Sequence, residues 1–202
     1  MSARASHIML VLSAFLAGLV VFLAVFLYAT GQLGTRAPSA GIGGPFALTD
    51  QNGKPITDAD LKGKPSLVFF GYTHCPDVCP TTLFDISEVM RALGPDADRA
   101  AALFISVDPD RDTPAVLKDY LSSFDPHVRA ATGDQANLDK VEKEYRVYSR
   151  KRPLDPKNPG GNYAMDHSSV IYLVGPDGKL VNYYDEAISP SDLAADLKQK
   201  MV

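Results

Sequence analysis

The sequence predicts an α/β fold, a mixed sheet flanked by helices behind an N-terminal transmembrane helix. Three features support that reading. Short apolar runs bounded by Gly and Pro alternate with segments whose apolar residues recur at helical spacing, the pattern of βαβ units. The chain then closes on a hairpin signal, Gly175-Pro-Asp-Gly178, and a last helix, which adds antiparallel strands to the sheet. Residues 8–29 carry no charge and are dominated by Leu, Val, Phe and Ala.

At about 1.5 Å per residue, a helix of about 22 residues spans about 33 Å, enough for a bilayer core. A cleaved signal peptide has a shorter apolar region and a small-x-small site, whereas this run ends Leu27-Tyr28-Ala29-Thr30, so residues 1–29 read as an uncleaved signal anchor. Arg4 and the terminal amine favour a cytoplasmic N-terminus, with the remainder facing outward. Residues 30–44, rich in Gly, Ala, Ser and Thr, read as a flexible tether. Residues 45–202 are one domain's worth of chain. A formal charge of −4 with scattered basic residues excludes nucleic-acid binding, which needs a basic stripe.

Within the domain, Phe46 to Ile56 reads as a small hairpin around Asn52-Gly53. Ser66 to Gly71 is an apolar strand between Pro65 and the cysteine motif. A helix opened by Pro80 follows, with Leu83, Ile86, Val89, Met90 and Leu93 on its inner face and Gly94 at its end. Ala101 to Val107 is the next strand. Asp112 or Thr113 caps a helix opened by Pro114, its inner face being Val116, Leu117, Tyr120, Leu121 and Phe124. Val128 to Ala131 is a short strand and Asn137 to Tyr145 a helix. Lys151 to Tyr163, with its prolines and Gly160-Gly161, reads as an irregular excursion. Ser169 to Val174 and Leu180 to Tyr184 form the hairpin, and Ser189 caps the final helix at Pro190.

The chain's only cysteines are Cys75 and Cys79, in Cys75-Pro-Asp-Val-Cys79. A loop so short adds little stability as a disulfide, so the pair is read as chemical. On a helical turn this spacing places both sulfurs on one face, where they can grip one soft ion or cycle as a redox pair. The helix N-terminus is expected to favour thiolate. Thiolates suit Cu(I) or zinc, and a further donor must come from His74, His127 or His167. His167 is preferred because Asp166-His-Ser168 lies at the mouth of a strand expected in the same sheet as the strand before Cys75. His74 points away from its neighbour Cys75, and His127 reads as a solvated loop residue. Asp166 is a candidate to orient the His167 ring. A Cys pair at a strand-to-helix junction is the thioredoxin-like arrangement, so a thiol-disulfide oxidoreductase using Cys75 and Cys79 stays open as the alternative.

Three blocks resemble the Sco/SenC family: Gly71-Tyr-Thr-His-Cys-Pro-Asp-Val-Cys-Pro-Thr-Thr82, Ser106-Val-Asp-Pro-Asp-Arg-Asp-Thr-Pro114 and Asp166-His-Ser-Ser-Val-Ile-Tyr-Leu173. The resemblance covers about Phe46 to the end. It implies a membrane-tethered, thioredoxin-like copper chaperone that delivers copper to, or maintains the thiols of, the CuA centre of cytochrome c oxidase. It implies further that Cys75, Cys79 and His167 hold one copper ion, as Cu(I) or Cu(II). Expected partners are the oxidase subunit carrying CuA and another periplasmic copper chaperone or thiol reductant, in a bacterial or the equivalent mitochondrial inner membrane. Against thioredoxins, the spacer here has three residues rather than two, and Met165 to Ser169 lacks their proline. The Asp108 to Pro114 block is read as a structural turn and cap.

Overall fold

A computed structural model of the chain describes residues 15–23 and 41–201. The chain divides into two units at Ala40 and Gly41. In the first, residues 15–23 form a helix with exposed Phe15, Leu16, Leu19 and Val20. The rest of the apolar run, and the tether up to residue 40, lie outside the described residues. Among the described residues, no helix is long and apolar enough to cross a membrane.

The second unit is built on a seven-stranded sheet of order β2-β1-β5-β4-β3-β8-β9. Its strands are β1 (Ala47–Asp50), β2 (Pro55–Thr57), β3 (Ser66–Gly71), β4 (Ala101–Ser106), β5 (Val128–Thr132), β8 (Val170–Val174) and β9 (Leu180–Asp185). β3, β4 and β5 run parallel, while β8 and β9 add on antiparallel beyond β3, and β1 and β2 beyond β5. The helices are α1 (Val78–Leu93), α2 (Pro114–Leu121), α3 (Gln135–Tyr145) and α4 (Pro190–Lys198). α1 packs against α4, α2 against β5 and α3 against β1. Every residue of β3 and β4 is buried, as expected for central strands covered on both faces. The mixed sheet flanked by helices is thus the expected α/β class.

Register decides where the ends of the chain segments meet. Phe69 pairs with Ile171 across β3 and β8, so the residues just before Ile171 arrive where β3 runs out at Gly71. The cysteine segment leaves β3 at that same edge.

Four local expectations change. α1 begins at Val78, not at Pro80, which puts Cys79 inside the helix. Pro80 fits there because the first four N–H groups of a helix have no intrahelical acceptor. Of the two proposed caps of α2, Thr113 accepts the Val116 N–H, and Asp112 is engaged elsewhere. α2 ends at Leu121, leaving Phe124 beyond it, and Val116 faces solvent.

The expected irregular excursion from Lys151 to Tyr163 is strand at both ends: it begins inside β6 (Ser149–Pro153) and ends in β7 (Tyr163–His167), a two-stranded ribbon in register from Ser149 opposite His167 to Pro153 opposite Tyr163. Its cationic stretch Arg150-Lys-Arg152 has no apolar alternation, so pairing is set by backbone hydrogen bonds that side-chain pattern does not announce.

Candidate metal centre

Cys79 sits in the first turn of α1 and is fully buried; Cys75, in the preceding turn, is half-buried. Both are free thiols. The Cys79 N–H, one of the orphan donors of the helix start, donates to Cys75 Sγ at 3.4 Å. Beneath them Gly71 ends β3, and a Cβ there would lie 2.7 Å from Cys79 Sγ, so only glycine lets the sulfur settle on the strand end. His167, at the end of β7, brings Nε2 to 3.5 Å from Cys79 Sγ across 88 positions of sequence. The two sulfurs and the imidazole nitrogen all lie within 4.8 Å of one another. Among the described residues these three form the one cluster suited to holding a metal ion.

The ring's tautomer follows from its other nitrogen. Nδ1 lies 3.1 Å from the Ser168 carbonyl, which can only accept, so Nδ1 carries the proton of the neutral imidazole and Nε2 presents a lone pair to the sulfurs. Ser168 is itself pinned: its N–H donates to Tyr148 O at 2.9 Å, and its hydroxyl accepts from Tyr148 N at 3.0 Å. Burial lowers the His167 pKa below its ordinary value, outweighing the opposing pull of the Ser168 carbonyl and of Glu186 and Asp166. Burial thus favours the neutral ring, whose Nε2 lone pair is free to donate. Burial pushes the Cys79 thiol up, with the nearby Cys75 acting in the same direction. This runs against the expectation that the helix N-terminus would favour thiolate, because burial disfavours the charged sulfur. A soft cation is the partner that would displace that proton. Two sulfurs and an aromatic nitrogen suit such an ion, so the donor set fits.

The remaining candidates fall outside the cluster. His74 is exposed, its Nδ1 3.1 Å from Thr73 Oγ1. His127 is half-buried rather than solvated, with Nδ1 2.7 Å from Asp125 and Nε2 3.4 Å from Asp98. Asp166, expected to orient the imidazole, accepts from Arg152 Nε at 2.9 Å instead, and the Ser168 carbonyl takes that place.

Read as a turn and cap, the loop 108–113 is more than that. Asp112 is buried, its pKa raised by that burial against the hydrogen bonds it receives. Its carboxylate accepts from Thr73 N at 3.0 Å, Thr73 Oγ1 at 2.6 Å and Ser106 Oγ at 2.6 Å, fixing the backbone two residues before Cys75. Asp108, fully buried, pairs with Arg111 Nε and accepts from the Tyr163 hydroxyl at 2.7 Å. Burial and that hydrogen bond push the Tyr163 pKa up to about 12. Tyr72 meets His167 edge-on at 5.7 Å between ring centroids. A sequence signal for this loop existed: Asp108-Pro-Asp-Arg-Asp112 follows a mostly apolar strand, and a parallel neighbour of β3 ends at the same sheet edge as the cysteines.

The profile of the SCO1/SenC family matches residues 34–202. The chain is similar to the mitochondrial protein SCO2 of Saccharomyces cerevisiae, 45% identical over 153 residues covering 73% of this chain and 50% of the yeast protein, so it spans half that relative's length. It is also similar to the SCO2-like protein of Rickettsia felis, 38% identical over 168 residues, 83% of this chain and 81% of that one. Among solved structures, Bradyrhizobium japonicum ScoI with copper bound superposes with a TM-score of 0.73 and 59% identity, over 79% of this chain and 99% of that one.

Proposed function

The chain belongs to the SCO1/SenC family, and from that premise we propose that it is a membrane-anchored copper chaperone serving the CuA centre of cytochrome c oxidase. Copper is its cargo. Cys75, Cys79 and His167 hold one ion, and the observation that carries this is the convergence of their three donor atoms within 4.8 Å. A similar protein is described with copper bound, which favours copper over zinc for the same donors. The apolar residues 8–29 anchor the chain in a bacterial inner membrane, or its mitochondrial equivalent, and residues 30–44 tether the domain outside. The oxidase subunit that carries CuA receives the ion, and another copper chaperone or a thiol reductant supplies or resets the site.

Each residue has a stated task. Cys79 gives up its proton as the ion enters, so affinity falls as pH falls. Cys75, the more accessible sulfur, offers the route by which an acceptor's ligand exchanges onto the ion. His167 supplies a neutral nitrogen whose direction is fixed through Ser168. Cu(II), favouring tetragonal geometry, recruits a further donor.

Reconstitution of the purified chain with Cu(I) is expected to give about one ion per chain, with His167→Ala weakening it by at least the roughly 10- to 100-fold typical of losing a group that only orients a ligand. Unchanged affinity in that variant removes His167 from the site.

A second reading is favoured by the two free sulfurs within 4.8 Å of each other. As a reductant, the pair would pass two electrons and two protons to a disulfide of the CuA apo-subunit, leaving a Cys75–Cys79 disulfide, which requires the sulfurs to close to about 2.05 Å. Turnover of a disulfide substrate by copper-free protein, undiminished in His167→Ala, would give this reading the lead.

A further inference from the structure

The ribbon that carries His167 is not hydrogen-bonded into the main sheet: β6 and β7 pair only with each other. Such a two-stranded unit is marginal alone and must be docked by side chains. On β7 the side chains of Tyr163, Met165 and His167 share one face, because alternate residues of a strand point the same way. Met165 is buried, so that face is turned to the domain. Tyr163 and His167 stand about 13 Å apart on a single stiff strand.

What grips the far end is Arg111. Its Nε pairs with the fully buried Asp108, and its Nη1 donates to the Tyr163 carbonyl at 3.0 Å. Its guanidinium lies over the Tyr163 ring at 3.8 Å. The Tyr163 hydroxyl closes the circuit by donating to Asp108 at 2.7 Å. The same guanidinium stands 5.6 Å from the Tyr72 ring, which in turn meets His167 edge-on. At the other end, Ser149 Oγ, opposite His167, donates to the Glu142 carboxylate of α3 at 2.9 Å. Only a planar fork serves Asp108, the Tyr163 carbonyl and the ring face at once; a lysine can replace the charge but not the geometry.

We propose that Arg111, locked by Asp108, is a positioning residue for the metal centre: it holds Tyr163, and through β7 and Tyr72 keeps His167 against Cys79. This rests on the reading of His167 as a copper ligand. Without the fork the ribbon loosens, His167 spends less time at the sulfurs, and the two-sulfur part of the site is untouched because Cys75 and Cys79 are held by α1 and by Asp112.

The test is a double-mutant cycle on the full chain in detergent, with Cu(I) affinity measured by competition against a chromogenic chelator. Arg111→Lys is expected to weaken Cu(I) about tenfold or more, within the range for groups that orient ligands. Adding Arg111→Lys to His167→Ala is expected to cost less than about twofold further, since its effect runs through the histidine. In the copper-free chain, amide hydrogen exchange of Tyr163–His167 should accelerate in Arg111→Lys while that of Ser66–Gly71 does not. Tyr163→Phe, which keeps the ring stack and loses one hydrogen bond, should move the same readouts less and covers the case in which Arg111→Lys fails to fold. Additive losses in the cycle, or ribbon and core exchange rising together, overturn the proposal. Unchanged affinity in His167→Ala alone overturns the copper-ligand reading instead, and is separately visible.

Discussion

The two halves of the candidate metal centre are held by different physics. The sulfur half is part of the core: Cys79 rests on Gly71 at the end of a strand buried along its whole length, and α1 covers it. The imidazole half rides on an edge ribbon fastened by polar side chains, Arg111 and Asp108 at one end and Ser149 with Glu142 at the other. Apolar burial is non-directional and cooperative, so the sulfur half stands or falls with the fold. Hydrogen-bonded ion pairs are directional and local, so the imidazole half can be loosened alone. One loop, 108–113, serves both, through Asp112 to Thr73 and through Arg111 to Tyr163. In the chaperone role proposed above, the division would be useful: one donor can leave while two stay.

Substitutions should separate the halves. Phe104, fully buried on β4 and stacked on Phe69 at 6.1 Å, supports the sulfur half from below. Phe104→Ala is expected to cost about 3–5 kcal/mol in chemical denaturation, and to lower stability as sensed at both halves together. A selective loss at the ribbon would contradict the division. Gly71→Ala is smaller and more local. Its Cβ would meet Cys79 Sγ at 2.7 Å and Phe104 at 2.8 Å, so about 1–3 kcal/mol of overpacking is expected, together with weaker Cu(I) binding. Full retention of affinity would mean the sulfur has room that the fold does not show.

The smallest effect is a pH dependence confined to the imidazole half. His167 has a folded pKa below its unfolded value because burial disfavours the imidazolium. Between those two values the unfolded chain binds more protons, so the copper-free protein keeps its full stability above the unfolded pKa of about 6.5 and loses some as pH falls below it toward the folded pKa. Denaturation midpoints at pH 7.5 and pH 5.5 should therefore fall further apart in the parent than in His167→Ala. Equal differences would remove the imidazole as the titrating group.

Legibility in the sequence followed the same division. The strands Ser66–Gly71 and Ala101–Ser106, the apolar face of α1 and the hairpin around Gly175-Pro-Asp-Gly178 were readable because burial imposes period and composition on the residues themselves. β6 and β7 were not, since β6 is a solvent-facing run of Arg and Lys without apolar alternation, and the two strands pair through their backbones. The roles of Asp112 and Arg111 were hidden for another reason: a capping carboxylate and a buried clamp look alike in one dimension. Asp166 misled for the converse reason, since adjacency in sequence suggested a contact with His167 that Arg152 takes.

By itself the sequence determined the chemistry on offer: two thiols one helical turn apart, histidines elsewhere, and an alternation of apolar runs that could only close as an α/β sheet. Tertiary structure supplied the geometry that the preferred histidine needs, by pairing Phe69 with Ile171 so that His167 emerges beside the end of β3. It also buries Cys79, which pushes the thiol up. Side-chain identity is local and written in the chain, whereas register and desolvation are properties of everything packed around a group, and exist only once the sheet has formed.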